Sequence, residues 1–105
     1  MIRGTTPTNE FNVDTDFTMA VEMYISYGQK PDNEDKYEPV IERILEDITV
    51  TPNKLTVRLT QEETLSLDAD KGVGIQCRVK FADGSAYASK IIETTVEEII
   101  KEGVI

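Results

Sequence analysis

Val73-Gly74-Ile75-Gln76-Cys77-Arg78-Val79-Lys80-Phe81-Ala82-Asp83-Gly84-Ser85-Ala86-Tyr87-Ala88-Ser89-Lys90-Ile91-Ile92 is the stretch whose reading decides the fold. Val73, Ile75, Cys77, Val79 and Phe81 alternate with Gly74, Gln76, Arg78 and Lys80, the period-2 pattern of a strand with one buried face. Ala82-Asp83-Gly84-Ser85 supplies the turn, with Gly84 free to take the positive φ that a short hairpin loop demands. Ser85 to Ile92 returns as the partner strand. Ile91 and Ile92 are adjacent apolar residues, so the inward phase slips there, and a bulge that inserts one residue explains the slip.

Working towards the N-terminus, Leu55-Thr56-Val57-Arg58-Leu59-Thr60 is a second clear strand, with Leu55, Val57 and Leu59 inward. Gln61 to Thr64 breaks the pattern, Leu65 and Leu67 resume it, and Asp68-Ala69-Asp70-Lys71-Gly72 turns into the hairpin. Ala20 to Tyr27 reads as a strand presenting Val21, Met23, Ile25 and Tyr27 on one face, and Thr8 to Val13 as another. Gly28 to Lys36, with Pro31, Asp32, Asn33, Glu34 and Asp35, is a loop. Tyr37 to Val50 is ambiguous. Val40, Ile41, Ile44, Leu45 and Ile48 fall at helical spacing behind Pro39, yet the same residues also divide into alternating strand faces.

At the two ends the pattern is weaker. Residues 1–8 form a polar, extended arm containing Gly4 and Pro7. Thr95-Val96-Glu97-Glu98 matches a capping box, and Lys101 followed by Gly103 matches a helix C-terminus, which predicts a short helix over 95–103. The whole is one domain, residues 1–105. Its fold class is all-β: an immunoglobulin-like β-sandwich of about seven strands with a short C-terminal helix.

Composition excludes several functions. Twenty acidic against eleven basic residues give a formal charge of −9, the wrong sign for replacing the counterions of a nucleic acid or docking on an anionic membrane. No apolar run reaches the roughly 18–20 residues that span a bilayer, and Met1 to Thr8 has no apolar core of a signal peptide. With one cysteine and no tryptophan, the disulfide and tryptophan of an antibody domain are ruled out. The absence of histidine removes the commonest general base and metal ligand.

Each remaining constellation has a structural explanation. Cys77 lies mid-strand in the apolar phase, as a small buried core residue does. Asp68-Ala69-Asp70-Lys71-Gly72 is faintly like a calcium loop but lacks the third oxygen ligand and the closing bidentate glutamate. The cluster Asp32, Glu34 and Asp35 lacks ordered spacing, and Asp14 and Asp16 read as a solvated turn. Arg58, Arg78, Lys80 and Lys90 fall on outward strand faces, as a basic stripe or, more simply, as partners of the surplus carboxylates. Tyr24, Tyr37 and Tyr87 could line a sugar platform or be half-buried sheet residues. No catalytic, cofactor-binding or metal-binding residue is assigned, no cofactor is expected, and a small-molecule ligand is not expected.

Several stretches together resemble a small protein encoded among the tail genes of phages and prophages of Gram-positive gut bacteria. These are Ile2 to Thr8, Leu55 to Thr64 ending in "LTQEET", Ile75 to Val79, and Ala86 to Ile92. More remotely, the layout is similar to the immunoglobulin-like N-terminal domain of phage baseplate upper proteins. The resemblance implies a non-enzymatic virion structural or assembly protein, associated with tail or baseplate and acting by protein–protein contact. It implies other tail or baseplate proteins, or further copies of itself, as partners. It places the chain in the bacterial host cytoplasm during assembly and then in the virion. It also implies that Pro39 to Ile44 is strand, not helix. The acidic loop Gly28 to Lys36 and the ending Glu97 to Glu102 depart from that family's pattern. A rival reading of the same fold is a carbohydrate-binding module for host attachment.

Overall fold

The computed structural model describes residues 1–105 as two antiparallel sheets packed face to face. In chain order the elements are β1 (Thr8–Asn12), β2 (Ala20–Gln29), β3 (Glu38–Ile44), β4 (Thr49–Thr51), β5 (Lys54–Arg58), α1 (Gln61–Leu65), β6 (Val73–Phe81), β7 (Ala86–Ala88) and β8 (Ile92–Thr94). The smaller sheet runs β1-β5-β4, and the larger runs β3-β2-β6, with β7 and β8 successively on the far edge of β6.

The alternation read from sequence becomes the core. Leu55, Val57 and Leu59 come from the small sheet and the strand's continuation. They meet Met23, Ile25 and Tyr27 of β2 and Val73, Ile75 and Val79 of β6. Each such side chain removed from water contributes roughly 1.5–3 kcal/mol, so β2, paired on both sides by β3 and β6, anchors the larger sheet. Val21, expected inward, is exposed, because a register shift between Ala20 and Glu22 ends the alternation there.

Tyr37 to Val50 resolves in favour of strand. β3 covers Glu38–Ile44, a single 3-10 turn follows at Leu45–Asp47, and β4 comes next. Only Ile41 and Ile48 of its apolar residues are fully buried, and a helix in this place would deprive β2 of its edge partner.

The hairpin forms with the expected bulge. Gly84 has φ +87° in the loop, and Asp83 Oδ1 accepts hydrogen bonds from the Ser85 N–H (2.8 Å) and hydroxyl (2.6 Å). Arg78 pairs with Ala88, but Ile75 pairs with Ile92, so the return strand carries one more residue than β6 over this interval. Ser89 holds the irregularity: its N–H donates to the Cys77 carbonyl (2.9 Å) and its hydroxyl accepts from the Cys77 N–H (3.0 Å). The return strand is thereby split, giving eight strands instead of seven.

The predicted C-terminal helix over 95–103 is not formed. The short helix of this fold is α1, where Thr60 accepts from the Glu63 N–H (3.1 Å) and Glu63 Oε1 accepts from the Thr60 N–H (2.8 Å). This is a capping box at a segment the alternation merely marked as interrupted. At the other candidate box, Val96 is buried in the core and Glu97 bridges in parallel to Ile2. Helical winding would pull both out of place.

Residues 1–8 are correspondingly not a free arm. The N-terminal ammonium donates to the Thr95 carbonyl (2.9 Å), and the Arg3 N–H donates to the Glu97 carbonyl (3.1 Å). The Arg3 guanidinium donates to the carbonyls of Leu65 (3.0 Å) and Leu67 (2.8 Å), and pairs with Glu102 (3.0 Å). No helix is long and apolar enough to cross a membrane.

Candidate functional site: an apolar cleft between the sheet edges

β1, at the edge of the small sheet, and β7–β8, at the edge of the larger one, do not close on each other. A cleft of about 150 Å³ opens between them, a volume comparable to cavities that hold one benzene-sized group. Phe11 and Val13 form one wall, because the alternation of β1 turns them towards the other sheet. Ile75 and Cys77 of β6, with Ile25 of β2, form the floor of the opposite sheet, and Tyr87 and Ile92 stand at the mouth. Phe17 closes one end, its ring 5.3 Å from that of Tyr87 and 6.1 Å from that of Phe81.

The bulge shapes this opening. By inserting one residue, it brings Ile92 opposite Ile75 on the inner face while Tyr87 stays opposite Val79, so two large apolar groups flank the cleft. Tyr87 is 46% exposed and Ile92 57%, so the apolar rim is left in water. The polar lining is sparse: Asn12, Asp14 and Ser89.

Cys77, expected as a buried core residue, is only half-buried, because it sits in the floor of this open cleft. Burial still pushes its thiol up to about 11. No group beside it supports a thiolate, so the sulfur is held protonated near neutral pH.

The other singled-out residues serve the fold in separate places. Tyr37 lies across Gly28 and Gly74, which face each other in register on β2 and β6. Its hydroxyl donates to Glu93, and Lys30 Nζ sits 4.8 Å from its ring centre. Tyr24 is on the outer face of the same sheet, opposite Arg78, and donates to Glu22 (3.2 Å). With Tyr87 at the cleft, the three tyrosines occupy three sites and build no common platform.

The acidic turn Asp68 to Gly72 is held by buried Gln29, whose Nε2 donates to the Asp68 carbonyl (2.8 Å) and whose Oε1 accepts from the Asp68 N–H (2.8 Å). Lys71 pairs with Asp32 at 3.1 Å, tying this turn to the acidic loop after β2. No three acidic or cysteine side chains converge as a metal cage would require. Asp16 and Asp83 sit below the usual carboxylate range because Thr18 and Ser85 donate to them. Arg58, Arg78, Lys80 and Lys90 are all exposed, as expected for outward positions, but none makes an ion pair. The expected cross-strand pairing is therefore absent from the structure.

Sequence reasoning placed Ile25, Leu55, Ile75 and Cys77 on inward strand faces, but it gave Phe11, Val13 and Phe17 no face and did not locate the cleft. Met23 and Ile25 look the same in sequence, as inward strand residues, yet only Ile25 lines the cleft. Which of them lines an opening depends on where two sheet edges stop.

No family model matches the chain, and no curated protein matches it.

Proposed function

We propose that this domain is a non-enzymatic structural or assembly protein of a phage or prophage tail or baseplate, working by protein–protein contact. The contact reading is carried by one observation: an open cleft with Tyr87 and Ile92 exposed at its mouth. Such a surface recognises apolar side chains through burial, and aromatic residues are favoured at interfaces of this kind. The tail assignment is supported by the resemblance of Ile2 to Thr8, Leu55 to Thr64 and the hairpin. Under this reading the chain resides in the host cytoplasm during assembly and then in the particle.

The test is to induce particles from cells carrying the gene with an epitope-tagged copy, purify them on a density gradient and quantify the chain by mass spectrometry. Recovery in stoichiometric amount with tail proteins is the expected result. Its absence from both particles and tail intermediates would refute the tail assignment. Selective glycan binding by the isolated domain would support host attachment instead.

A further inference from the structure

We propose that the free edge of β1 is a docking strand. It takes an extended segment of another protein, whose inward side chains are apolar and whose flanks carry Lys or Arg. The inference rests on the contact reading above and names the surface and the chemistry of the partner.

The four sheet edges differ in how they resist added strands. β4 has three residues and runs into the Pro52 turn. β3 carries Pro39, with Val40 displaced by a register shift. The β7–β8 edge is interrupted at residues 89–91. Proline, bulges and shortness are the usual protections of an exposed edge. β1 has none of them, and its single charge, Glu10, is paired with Lys54 at 3.4 Å.

The hydrogen-bonding phase of β1 follows from its ends. The Leu59 N–H donates to the Pro7 carbonyl and the Val13 N–H to the Asn53 carbonyl, both at 3.0 Å. With the register Asn9 to Val57 and Phe11 to Leu55, the odd residues bond to β5. The N–H and C=O groups of Thr8, Glu10 and Asn12 therefore face the open side. A strand added there would extend the small sheet and send alternate side chains into the cleft beside Phe11 and Val13. Backbone bonds would give affinity and the cleft selectivity.

Charge decides the occupant. Asp14 lines the cleft and makes no ion pair, and the molecule carries −9 overall. Lys90, next to Ser89 in the bulge, is not among the lining residues. A segment flanked by cations is attracted, whereas a second copy of this chain brings the same net negative charge.

The experiment titrates the intact domain, observed by NMR, with the synthetic peptide Lys-Ile-Thr-Val-Thr-Ile-Lys. The controls are the same core with Glu flanks and a Lys-flanked peptide N-methylated at alternate residues, which removes the donors of one edge without altering the protein. The expected result is shifting and exchange protection of the Thr8, Glu10 and Asn12 amides, with slower alkylation of Cys77. Binding should be at least tenfold weaker for the Glu-flanked peptide and lost on N-methylation of the pairing edge. No binding at millimolar peptide, binding insensitive to N-methylation on either edge, or shifts confined to β3 would overturn the proposal. Dimerisation that protects the same amides without peptide would also overturn it, by placing a second copy on the edge. Peptide binding by a chain absent from particles would leave the docking strand standing and remove the tail assignment. Incorporation into particles without peptide binding would do the reverse.

Discussion

Arg43 on β3 grips both carboxylate oxygens of Glu63 on α1, at 2.8 Å from Nε and 2.5 Å from Nη2. The pair fastens the larger sheet to the segment that leaves the smaller one, and Arg43 Nη2 also donates to the Arg58 carbonyl (2.9 Å). Glu63 is engaged twice, since it also caps α1 through the Thr60 N–H. The Tyr27 hydroxyl is buried without a hydrogen-bond partner. Burial drives its ionisation well above the ordinary phenol range, with Arg43 and Glu63 acting on it in opposite senses.

Replacing Arg43 with Met should therefore destabilise the domain by about 1.5–3 kcal/mol, the scale of hydrogen bonds to a charged group. Urea unfolding should show a lower midpoint with an unchanged m-value. An unchanged midpoint would mean that the contact contributes nothing net.

The same pair gives a pH dependence. Burial raises the Glu63 carboxyl, but hydrogen bonds from Arg43 and Thr60 outweigh it and hold the group below its ordinary 4.5. A lowered folded-state value means that its contribution is present above that ordinary value and is lost as pH falls through the folded-state value. The stability difference between the native chain and Glu63→Gln should thus be largest near pH 7 and shrink below pH 4.5. A difference constant down to pH 2.5 would contradict the ionised pair.

Cys77 should react slowly for a half-exposed thiol. With its ionisation at about 11 against an ordinary 9, alkylation at pH 8 should run roughly 100-fold slower than in the urea-unfolded chain, in proportion to thiolate fraction. The rate should keep rising between pH 9 and 11. A plateau near pH 9 would show that burial does not control the sulfur. Cys77→Ser should cost roughly 1–3 kcal/mol if the hydroxyl finds no partner there.

Gly74 is required by the side chains packed on it. A Cβ there would lie 2.8 Å from Cε1 and Cζ of Tyr37 and 2.9 Å from Cγ2 of Ile91, closer than real contacts allow, so Gly74→Ala should cost roughly 1–3 kcal/mol as an overpacking substitution. In the background Tyr37→Ser the same change should cost distinctly less, a coupling that a double-mutant cycle reads directly. Strict additivity would place the strain elsewhere.

Arg3 closes the molecule. Arg3→Ala leaves the half-buried carbonyls of Leu65 and Leu67 without their donor, and should lower stability by about 1–3 kcal/mol. Amide exchange should accelerate first at Glu97, whose N–H donates to the Met1 carbonyl (2.7 Å). Equal acceleration throughout β2 would argue for global and not local loosening.

The sequence by itself determined the strands in which one face is apolar along the whole length. In Leu55 to Leu59 and Val73 to Val79, every second residue is apolar, and only a pleated strand puts those residues on one side. It also determined the hairpin loop, because Gly84 meets a local backbone requirement, and the bulge, because adjacent Ile91 and Ile92 cannot share a regular inward phase. Tertiary structure decided between equivalent local signals. Thr60-Gln61-Glu62-Glu63 and Thr95-Val96-Glu97-Glu98 are both capping-box patterns, yet only the first forms a helix. Arg43 from another strand rewards the first, while burial of Val96 and the bridge to Ile2 hold the second extended. The cleft belongs to the same category: Cys77 and Ile92 are inward in phase, but their exposure depends on where β1 and β7–β8 stop short of each other, a distance between edges remote in sequence that no local pattern encodes.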